Sequence, residues 1–325
     1  GQHRGRGRGA GRTRVSRATS NRPQSRLERI LRAGHFCVTA EVVPPRSSDA
    51  EAVRSQARDL VGYADAVNVT DNPAASAHMS PLAGVALVAA SGLEPTAQFT
   101  VRDRNRLALT ADLLGAWTLG ARNVLCLTGD PVAVGDHPDA KEVKDLTALQ
   151  LVELAATLRE NGKLLSGTVI DDPPEFFVGV ADAPLAERYD VARLEAKIDA
   201  GAGFVMTQIA YDVEAMRVWA ETVRARGILE RAFLIAGIAP LRSAKSARYL
   251  NEHLPGVRVP GEIITALDAA GSEAEQVGLR ITAGIVTAFR EVNGISGVHV
   301  MGMGNERAVA RVVEAAGLLP RPGVV

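Results

Sequence analysis

The chain has 325 residues, 46% of them hydrophobic and only 4% aromatic, and its basic and acidic side chains balance at a formal net charge of zero. That length permits one large α/β barrel or two smaller domains, each with a substantial core. The apolar runs fall well short of the roughly 20 residues that a membrane-spanning helix requires, so the sequence predicts no membrane span.

The charges are unevenly distributed along the chain. Residues 1–26 contain eight arginines and no acidic residue, so the remainder is acidic by about eight charges. This segment is rich in Gly and Arg and lacks a hydrophobic pattern, which predicts a disordered basic extension. An RNA-binding tail and a transit-like peptide are alternatives, but we favour a solvated extension without a nucleic-acid partner. The catalytic domain is predicted to span residues 27–325.

From residue 36 onward, strand and helix patterns alternate. Strands are predicted over residues 36–43, 65–70, 94–100, 123–127, 176–180, 204–209, 233–237 and 297–301. Helices are predicted over residues 48–61, 80–91, 105–119, 146–161, 191–200, 213–226, 243–252, 273–292 and 305–316, with a loop over 162–174. Eight strands, each followed by a helix, predict a (β/α)8 TIM barrel. A Rossmann sheet is the runner-up, disfavoured because no GxGxxG motif follows a strand.

Polar residues occur at the ends of several predicted strands, and the carboxyl ends of parallel barrel strands converge on one mouth. Those residues are Glu41, Thr70, Gln98, Asp130, Gln208 and His299. Glu41 lies in a run that should be buried, where an unpaired carboxylate is costly, and this favours a functional role. Asp130 ends a very apolar strand, although an Asp after Gly is also a common turn former. His299 fits a structural role as well as a functional one.

The combination of these groups restricts the chemistry. Two carboxylates accompanied by neutral amides suit acid-assisted chemistry on an uncharged heterocycle, and Gln208 suits recognition of an amide-bearing ring. The sequence has no cluster with metal-ligand spacing and no nucleophile–base pair, so we expect neither a metal nor hydrolysis. Cys37 and Cys126 lie far apart in apolar runs, which predicts buried free thiols in a reducing cytoplasm.

Several short motifs from residue 31 to residue 319 resemble those of the methylenetetrahydrofolate reductase family. They are Glu41 with Pro44-Pro45, residues 68–73 (NVTDNP), 102–106 (RDRNR), 127–130 (LTGD), 135–138 (GDHP), Gly201-Ala202 with Thr207-Gln208, 236–241 (AGIAPL) and 297–301 (GVHVM). The resemblance implies a TIM barrel that reduces 5,10-methylenetetrahydrofolate to 5-methyltetrahydrofolate. It also implies FAD as the usual cofactor and NADH or NADPH as the hydride donor.

The resemblance also implies roles for individual residues. Glu41 matches the general acid, Asp130 matches a carboxylate beside the flavin and the pterin, and Gln208 matches a residue that contacts the pterin or the nicotinamide. Cofactor contacts are implied at Thr70, Gln98, Thr128, Gly129, Asp130, His137, Asp190 and Lys197. Gln98 stands where many flavin-bearing members have a histidine.

Three alternatives remain open at this point. Because few aromatic residues are available to stack on a flavin, hydride could pass directly from NAD(P)H to folate. A folate-binding methyltransferase and a subunit that depends on a partner flavoprotein are the others. Our interpretation is a cytoplasmic oxidoreductase of one-carbon metabolism and methionine biosynthesis, without a membrane partner. A homo-oligomer is left open.

Overall fold

Eight parallel strands form a closed barrel in a computed structural model that describes residues 24–324. The strands follow one another around the barrel in chain order, and the last pairs with the first. They are β1 (Cys37–Val42), β2 (Ala66–Val69), β3 (Pro95–Thr100), β4 (Asn123–Leu127), β5 (Phe177–Asp182), β6 (Phe204–Ile209), β7 (Phe233–Ile238) and β8 (Ile295–Val300). The predicted (β/α)8 barrel is confirmed.

Helices connect the strands on the outside of the barrel. They are α1 (Arg26–Arg32), α2 (Ala50–Leu60), α3 (Pro81–Ala90), α4 (Arg106–Thr118), α5 (Ala148–Asn161), α6 (Val191–Asp199), α7 (Val213–Ala225), α8 (Ala244–His253), α9 (Gly261–Ala269), α10 (Ala274–Arg290) and α11 (Glu306–Ala315). Most begin after a side chain that accepts a hydrogen bond from a backbone N–H of the first turn, which stabilises the helix start. These capping residues are Ser25, Asp49, Ser80, Asn105, Thr147, Asp190, Asp212, Ser243 and Asn305.

Two helices were not predicted. Helix α9 follows Pro260 and begins at Gly261, and both residues are typical of turns, which concealed the helix. Helix α1 is only seven residues long and adjoins the basic segment. The predicted disorder of residues 1–26 falls mainly on residues 1–23, which lie outside the described part. Ordered structure begins slightly before the expected start at Leu27, because Ser25 caps α1 and Arg26 opens it.

Helix α1 covers the end of the barrel opposite the carboxyl ends of the strands. Its Leu27, Ile30 and Leu31 are buried and belong to the same apolar cluster as Phe204 and Met206 of β6. A larger apolar cluster fills the space between the strands and the outer helices. The floor of the barrel is therefore filled by side chains, which leaves the opposite end for a site.

A buried charged network ties the first and last parts of the described chain together at this floor. The side chain of Asp65, which has no exposed surface, accepts hydrogen bonds from Arg321 Nη2 at 2.5 Å and from the Val38 N–H at 2.8 Å. Arg26 Nη2 lies 3.4 Å from the same carboxylate. Arg321 also donates to the Phe36 carbonyl at 2.8 Å. Residues distant in sequence thus share the Asp65 carboxylate, and we expect this carboxylate to contribute to the free energy of unfolding.

Two further sequence predictions concern burial and membranes. Cys37 and Cys126 are buried free thiols, as predicted. Burial raises the pKa of both, to about 12 for Cys126, so neither is a reactive thiolate at neutral pH. No helix within residues 24–324 combines the length and the apolar character needed to cross a membrane.

Candidate active site

A cavity of about 620 Å³ opens at the carboxyl ends of the strands. A second cavity of about 410 Å³ adjoins it, and the two share Gln98, Asp130, Lys197 and Gln208 among their lining residues. Both volumes lie within the range of small-molecule sites. The polar strand-end residues predicted from the sequence therefore surround one connected space.

Most of the predicted site residues line this space. Those on the larger cavity are Glu41, Thr70, Gln98, Asp130, Asp190, Lys197, Gln208 and His299. Thr128 and Gly129 line the second cavity. His137 lines neither of these cavities; it is exposed and lies on a separate hollow of about 130 Å³. The neighbouring Asp136 ties this loop to the loops after β1 and β2, because it pairs with Arg46 at 2.7 Å and accepts a hydrogen bond from the Ala77 N–H.

Glu41 projects from β1 beside a buried histidine. Its side chain is 15% exposed, and its Oε2 lies 3.8 Å from His299 Nε2. The other ring nitrogen, Nδ1, lies 2.9 Å from Thr39 Oγ1. The register of β1 and β8 places Thr39 opposite His299, and alternation along β1 puts Thr39 and Glu41 on one face. Sequence analysis proposed Glu41 but could not connect it with Thr39 and His299 across the barrel closure.

Asp130 is fixed by two neighbouring loops. Its Oδ2 accepts a hydrogen bond from the Ala74 N–H at 2.9 Å, and its carbonyl accepts one from Arg102 Nη1 at 3.0 Å. Arg102 is only 2% exposed and makes two 2.7 Å hydrogen bonds to Asp103. These bonds outweigh burial and raise the pKa of Arg102 further. Arg102 thus holds the loop after β4 so that the carboxylate of Asp130 faces the cavity.

The loop that contacts Asp130 has an unusual backbone. Asn72, Ala74 and Ala75 have φ of 47°, 52° and 53°, in the left-handed region that residues other than Gly seldom adopt. Arg102 Nη2 approaches the Asn72 carbonyl at 3.4 Å. Backbone of this kind costs about 1–3 kcal/mol per residue and is concentrated at functional sites. This loop conformation has a function that fits its cost, because it brings the Ala74 N–H to Asp130.

Sequence analysis missed a group of lining residues on β5 and the segment after it. Tyr189 OH donates to Asp182 Oδ2 at 2.9 Å and accepts from Trp219 Nε1 at 2.8 Å. Burial raises the pKa of Asp182. Asp182 ends β5, so the strand-end rule could have found it. Tyr189 supplies an aromatic ring in the lining that the loop sequence did not reveal.

Lys197 and Gln208 are both held by backbone groups. Lys197 Nζ donates to the Ala181 carbonyl at 2.8 Å, and burial lowers its pKa. Gln208 Nε2 donates to the Pro255 carbonyl at 3.3 Å, while its Oε1 accepts from the Ile209 N–H at 2.9 Å. Their polar ends are therefore oriented before any ligand binds.

Three buried polar atoms along the two cavities have no hydrogen-bond partner within the described part of the chain. They are Asn68 Oδ1 and Thr70 Oγ1 beside the larger cavity and Thr100 Oγ1 beside the smaller one. A buried polar atom without a partner costs about 1–3 kcal/mol. The walls of the two cavities therefore contain unsatisfied polar groups.

Comparison with known proteins decides the family. A family model described as methylenetetrahydrofolate reductase matches residues 26–317. The chain belongs to the methylenetetrahydrofolate reductase family. The resemblance found in its motifs is thereby confirmed.

Relatives in this family include Methylenetetrahydrofolate reductase 1 of Schizosaccharomyces pombe, 31% identical over 219 residues, which are 65% of this chain and 34% of that protein. The chain spans about a third of the length of this relative and of a second one from the same organism. The 5,10-methylenetetrahydrofolate reductase of Pectobacterium carotovorum is 24% identical over 88% of this chain and 92% of its own length.

A solved structure from Clostridium thermocellum has a similar fold. It matches with a TM-score of 0.58 and 13% identity over 91% of this chain and 100% of that one. That protein is described as uncharacterized and as binding two copies of 5-methyl-5,6,7,8-tetrahydrofolic acid. At this identity the likeness concerns the fold alone.

Gly129 provides a test of the loop that carries Asp130 in this member of the methylenetetrahydrofolate reductase family. Its φ is +87°, and an added Cβ would lie 2.9 Å from Thr100 Cβ. Gly129→Ala should therefore destabilise the protein by about 2–4 kcal/mol, since backbone strain and steric overlap add. The measurement is the urea midpoint of unfolding.

Gly34→Ala is the matched control, with φ +76° and open space around the added Cβ, and should cost about 1–2 kcal/mol. Equal losses would contradict the steric account.

Glu306 at the start of α11 is a buried carboxylate near Glu41. Burial raises its pKa, and the negative charges of Asp59 and Glu41 raise it further. The folded state therefore binds this proton more tightly than the unfolded state. An ionised Glu306 therefore lowers the free energy of unfolding. This destabilisation is absent below the unfolded-state pKa and fully present above the folded-state pKa. Glu306→Gln should raise the melting temperature at pH 8 and leave it nearly unchanged at pH 4. An equal change at both pH values would contradict this.

Proposed function

We propose that this chain reduces 5,10-methylenetetrahydrofolate to 5-methyltetrahydrofolate with hydride from NADH or NADPH. The observation that carries the proposal is the placement of Glu41 and Asp130 on one cavity at the barrel mouth of a member of this family. The cavity holds one largely enclosed carboxyl and one loop carboxylate with fixed orientation, so the two can take different roles.

Glu41 is the general acid in this proposal. The five-membered ring of the substrate opens when the bond between the bridging carbon and N10 breaks and its electron pair goes to N10. The proton of the Glu41 carboxyl neutralises N10, and a 5-iminium cation remains to accept hydride. A positioned acid contributes about 10²–10⁴-fold to such a step.

Asp130 stabilises the cation electrostatically. Its carboxylate faces the same cavity, and the Ala74 N–H and Arg102 fix its orientation before the reaction begins. Charge that is already oriented requires no reorganisation as the iminium forms, and this makes it effective. Gln208 complements these groups, because its side-chain amide is held at the cavity wall and matches the amide edge of a pterin.

The residues along the cavities also fit a bound FAD. Thr70 and Thr100 have unpartnered buried hydroxyls, and Lys197 and Asp190 line the same space. Gly129, next to Asp130, lines the smaller cavity. Arg193, exposed at the rim, adds positive charge suited to a pyrophosphate. A bound flavin would supply a carrier for hydride between the nucleotide and the folate.

Direct hydride transfer from NAD(P)H to folate is the second candidate, and one observation favours it. Tyr189 is the sole Phe, Tyr or Trp residue among those lining the two cavities of the described chain. Flavin sites usually offer more aromatic surface for stacking, so retention of FAD could be weak. Without FAD, the nucleotide and the folate must occupy the connected cavities together.

Absorbance measurements on the purified protein distinguish these routes. We expect oxidation of NADH or NADPH that depends on methylenetetrahydrofolate. A flavin spectrum in the active protein supports the FAD route, and activity in a colourless protein without added FAD supports direct transfer. Activity only with a partner flavoprotein would overturn the proposal in favour of a dependent subunit. Methyl transfer from 5-methyltetrahydrofolate without nucleotide oxidation would favour a methyltransferase.

We place this activity in the cytoplasm. Cys37 and Cys126 are unpaired and buried, which fits a reducing compartment.

A further inference from the structure

Strand β6 contains a bulge at the point where it reaches the cavity. Between Met206 and Ile209 its register with β7 shifts, so that three steps along β6 correspond to two steps along β7. Bulges of this kind change the direction of side chains and are common beside active sites. A regular strand turns successive side chains to opposite faces, whereas Met206, Thr207 and Gln208 all border the larger cavity.

The Thr207 hydroxyl makes two hydrogen bonds within this bulge. Its Oγ1 accepts from the Gly237 N–H at 2.9 Å and donates to the Gln208 carbonyl at 2.9 Å. Both directions are certain, because a backbone N–H can only donate and a carbonyl oxygen can only accept. Strand β7 comes very close here, since a Cβ added to Gly237 would lie 2.3 Å from the Thr207 carbonyl oxygen. Thr207 is 3% exposed, so water does not replace these bonds.

The peptide unit between Gln208 and Ile209 connects this hydroxyl with the Gln208 side chain. Its carbonyl accepts from Thr207 Oγ1, and its N–H, on Ile209, donates to Gln208 Oε1 at 2.9 Å. Because a peptide unit is planar, a rotation that freed the carbonyl from the hydroxyl would also turn the N–H away from Oε1. At the other end of the amide, Nε2 donates to the Pro255 carbonyl at 3.3 Å. Backbone partners thus fix which end of the amide is oxygen and which is nitrogen.

We propose that Thr207 is a positioning residue, which orients the Gln208 amide for the folate ring through the Gln208–Ile209 peptide. The inference rests on the proposed function, in which Gln208 binds the pterin. An amide held in this way keeps one N–H and one oxygen lone pair for a ligand. Without the Thr207 hydroxyl the peptide and the amide are free to rotate. Ordering them then opposes binding of the folate.

Thr207→Val removes the hydroxyl and keeps the size of the side chain. We expect the KM for methylenetetrahydrofolate to rise about tenfold and kcat to change less than about twofold, because lost binding that is common to ground state and transition state appears in KM. Thr207→Ser retains the hydroxyl and should keep KM near that of the unmodified protein. Rates are measured well below the melting temperature of each variant, since Thr207→Val leaves the Gly237 N–H without its acceptor. A lower kcat at unchanged KM, or equal effects of the two substitutions, would overturn the inference.

A double-mutant cycle tests whether Thr207 acts through Gln208. Gln208→Ala alone should raise the KM for folate at least as much as Thr207→Val does. Adding Thr207→Val to Gln208→Ala should raise KM less than about twofold further, because the group that Thr207 orients is already gone. If Thr207 had only a structural role, the two effects would multiply, and that result would overturn the inference.

The orientation of the amide can also be observed without activity, by NMR of protein labelled with 15N-glutamine. Gln208→Ala identifies the side-chain NH2 signals of Gln208 among those of the seven glutamines. We expect these signals to differ from those of a free glutamine amide in the unmodified protein and in Thr207→Ser, and to approach them in Thr207→Val. Free-amide signals in the unmodified protein would overturn the inference, even if Thr207→Val does not fold. A fixed amide in a protein without reductase activity would instead refute the proposed function and leave the orienting role of Thr207 in place.

Discussion

Glu41→Gln should lower the rate of methylenetetrahydrofolate reduction by about 10²–10⁴-fold, the usual contribution of a general acid. Glutamine has nearly the same size and retains a polar contact to the cavity, but it cannot deliver a proton to N10. Binding of folate, measured by fluorescence titration, should change little. Stopped-flow measurement of product formation in a single turnover isolates the affected step.

Two controls separate this loss from damage to the fold. Glu187→Gln changes an exposed carboxylate in the same β5–α6 segment as the cavity-lining Tyr189 and should leave the rate near that of the unmodified protein. The melting temperature of Glu41→Gln should stay close to that of the parent. If Glu41→Gln kept more than half of the activity, Glu41 would not be the acid.

Asp65→Asn should reduce the free energy of unfolding by about 3–5 kcal/mol, because it leaves the buried charge of Arg321 without its partner. The side chain of Arg321 is 7% exposed and that of Asp65 is fully buried, so water cannot replace the lost contact. Since the network lies at the closed end of the barrel, the cavity at the mouth should be little affected. Urea denaturation monitored by circular dichroism gives the value.

An exposed ion pair provides the matched comparison. Glu28 and Arg32 pair at 2.7 Å on α1, where the Arg32 side chain is 58% exposed. Glu28→Gln should therefore cost no more than about 0.5 kcal/mol. Adding Arg321→Met to Asp65→Asn should recover part of the loss, because the unpaired charge is removed. A loss below 1 kcal/mol for Asp65→Asn would contradict the assigned role.

The strand order and most of the site could be predicted from the sequence because both follow from local patterns. Alternating strand and helix signals identified all eight strands, and the rule that sites lie at the carboxyl ends of strands selected Glu41, Asp130 and Gln208. Asp182 obeys the same rule but was not selected, because the fifth strand was predicted to end at residue 180 and the observed strand runs on to Asp182. Helix α9 was missed because Pro260 and Gly261 resemble a turn.

Contacts between residues that are distant in sequence could not be predicted in this way. The Thr39–His299 hydrogen bond depends on how β1 meets β8 at the barrel closure, and a single sequence does not specify that register. Similarly, the hydrogen bond from Ala74 to Asp130 requires a left-handed backbone at residues other than Gly, which sequence preferences argue against. His137 was assigned to the cofactor by motif, and the structure places it on a separate hollow beside Asn72 and Arg102.

Product analysis tests the proposed reaction most directly. The purified chain is incubated with methylenetetrahydrofolate and either NADH or NADPH, and folates are quantified by mass spectrometry. We predict one 5-methyltetrahydrofolate formed for each nucleotide oxidised, with this product strongly reduced in Glu41→Gln. Nucleotide oxidation without 5-methyltetrahydrofolate, or no folate-dependent oxidation with either nucleotide in the presence of FAD, would contradict the account.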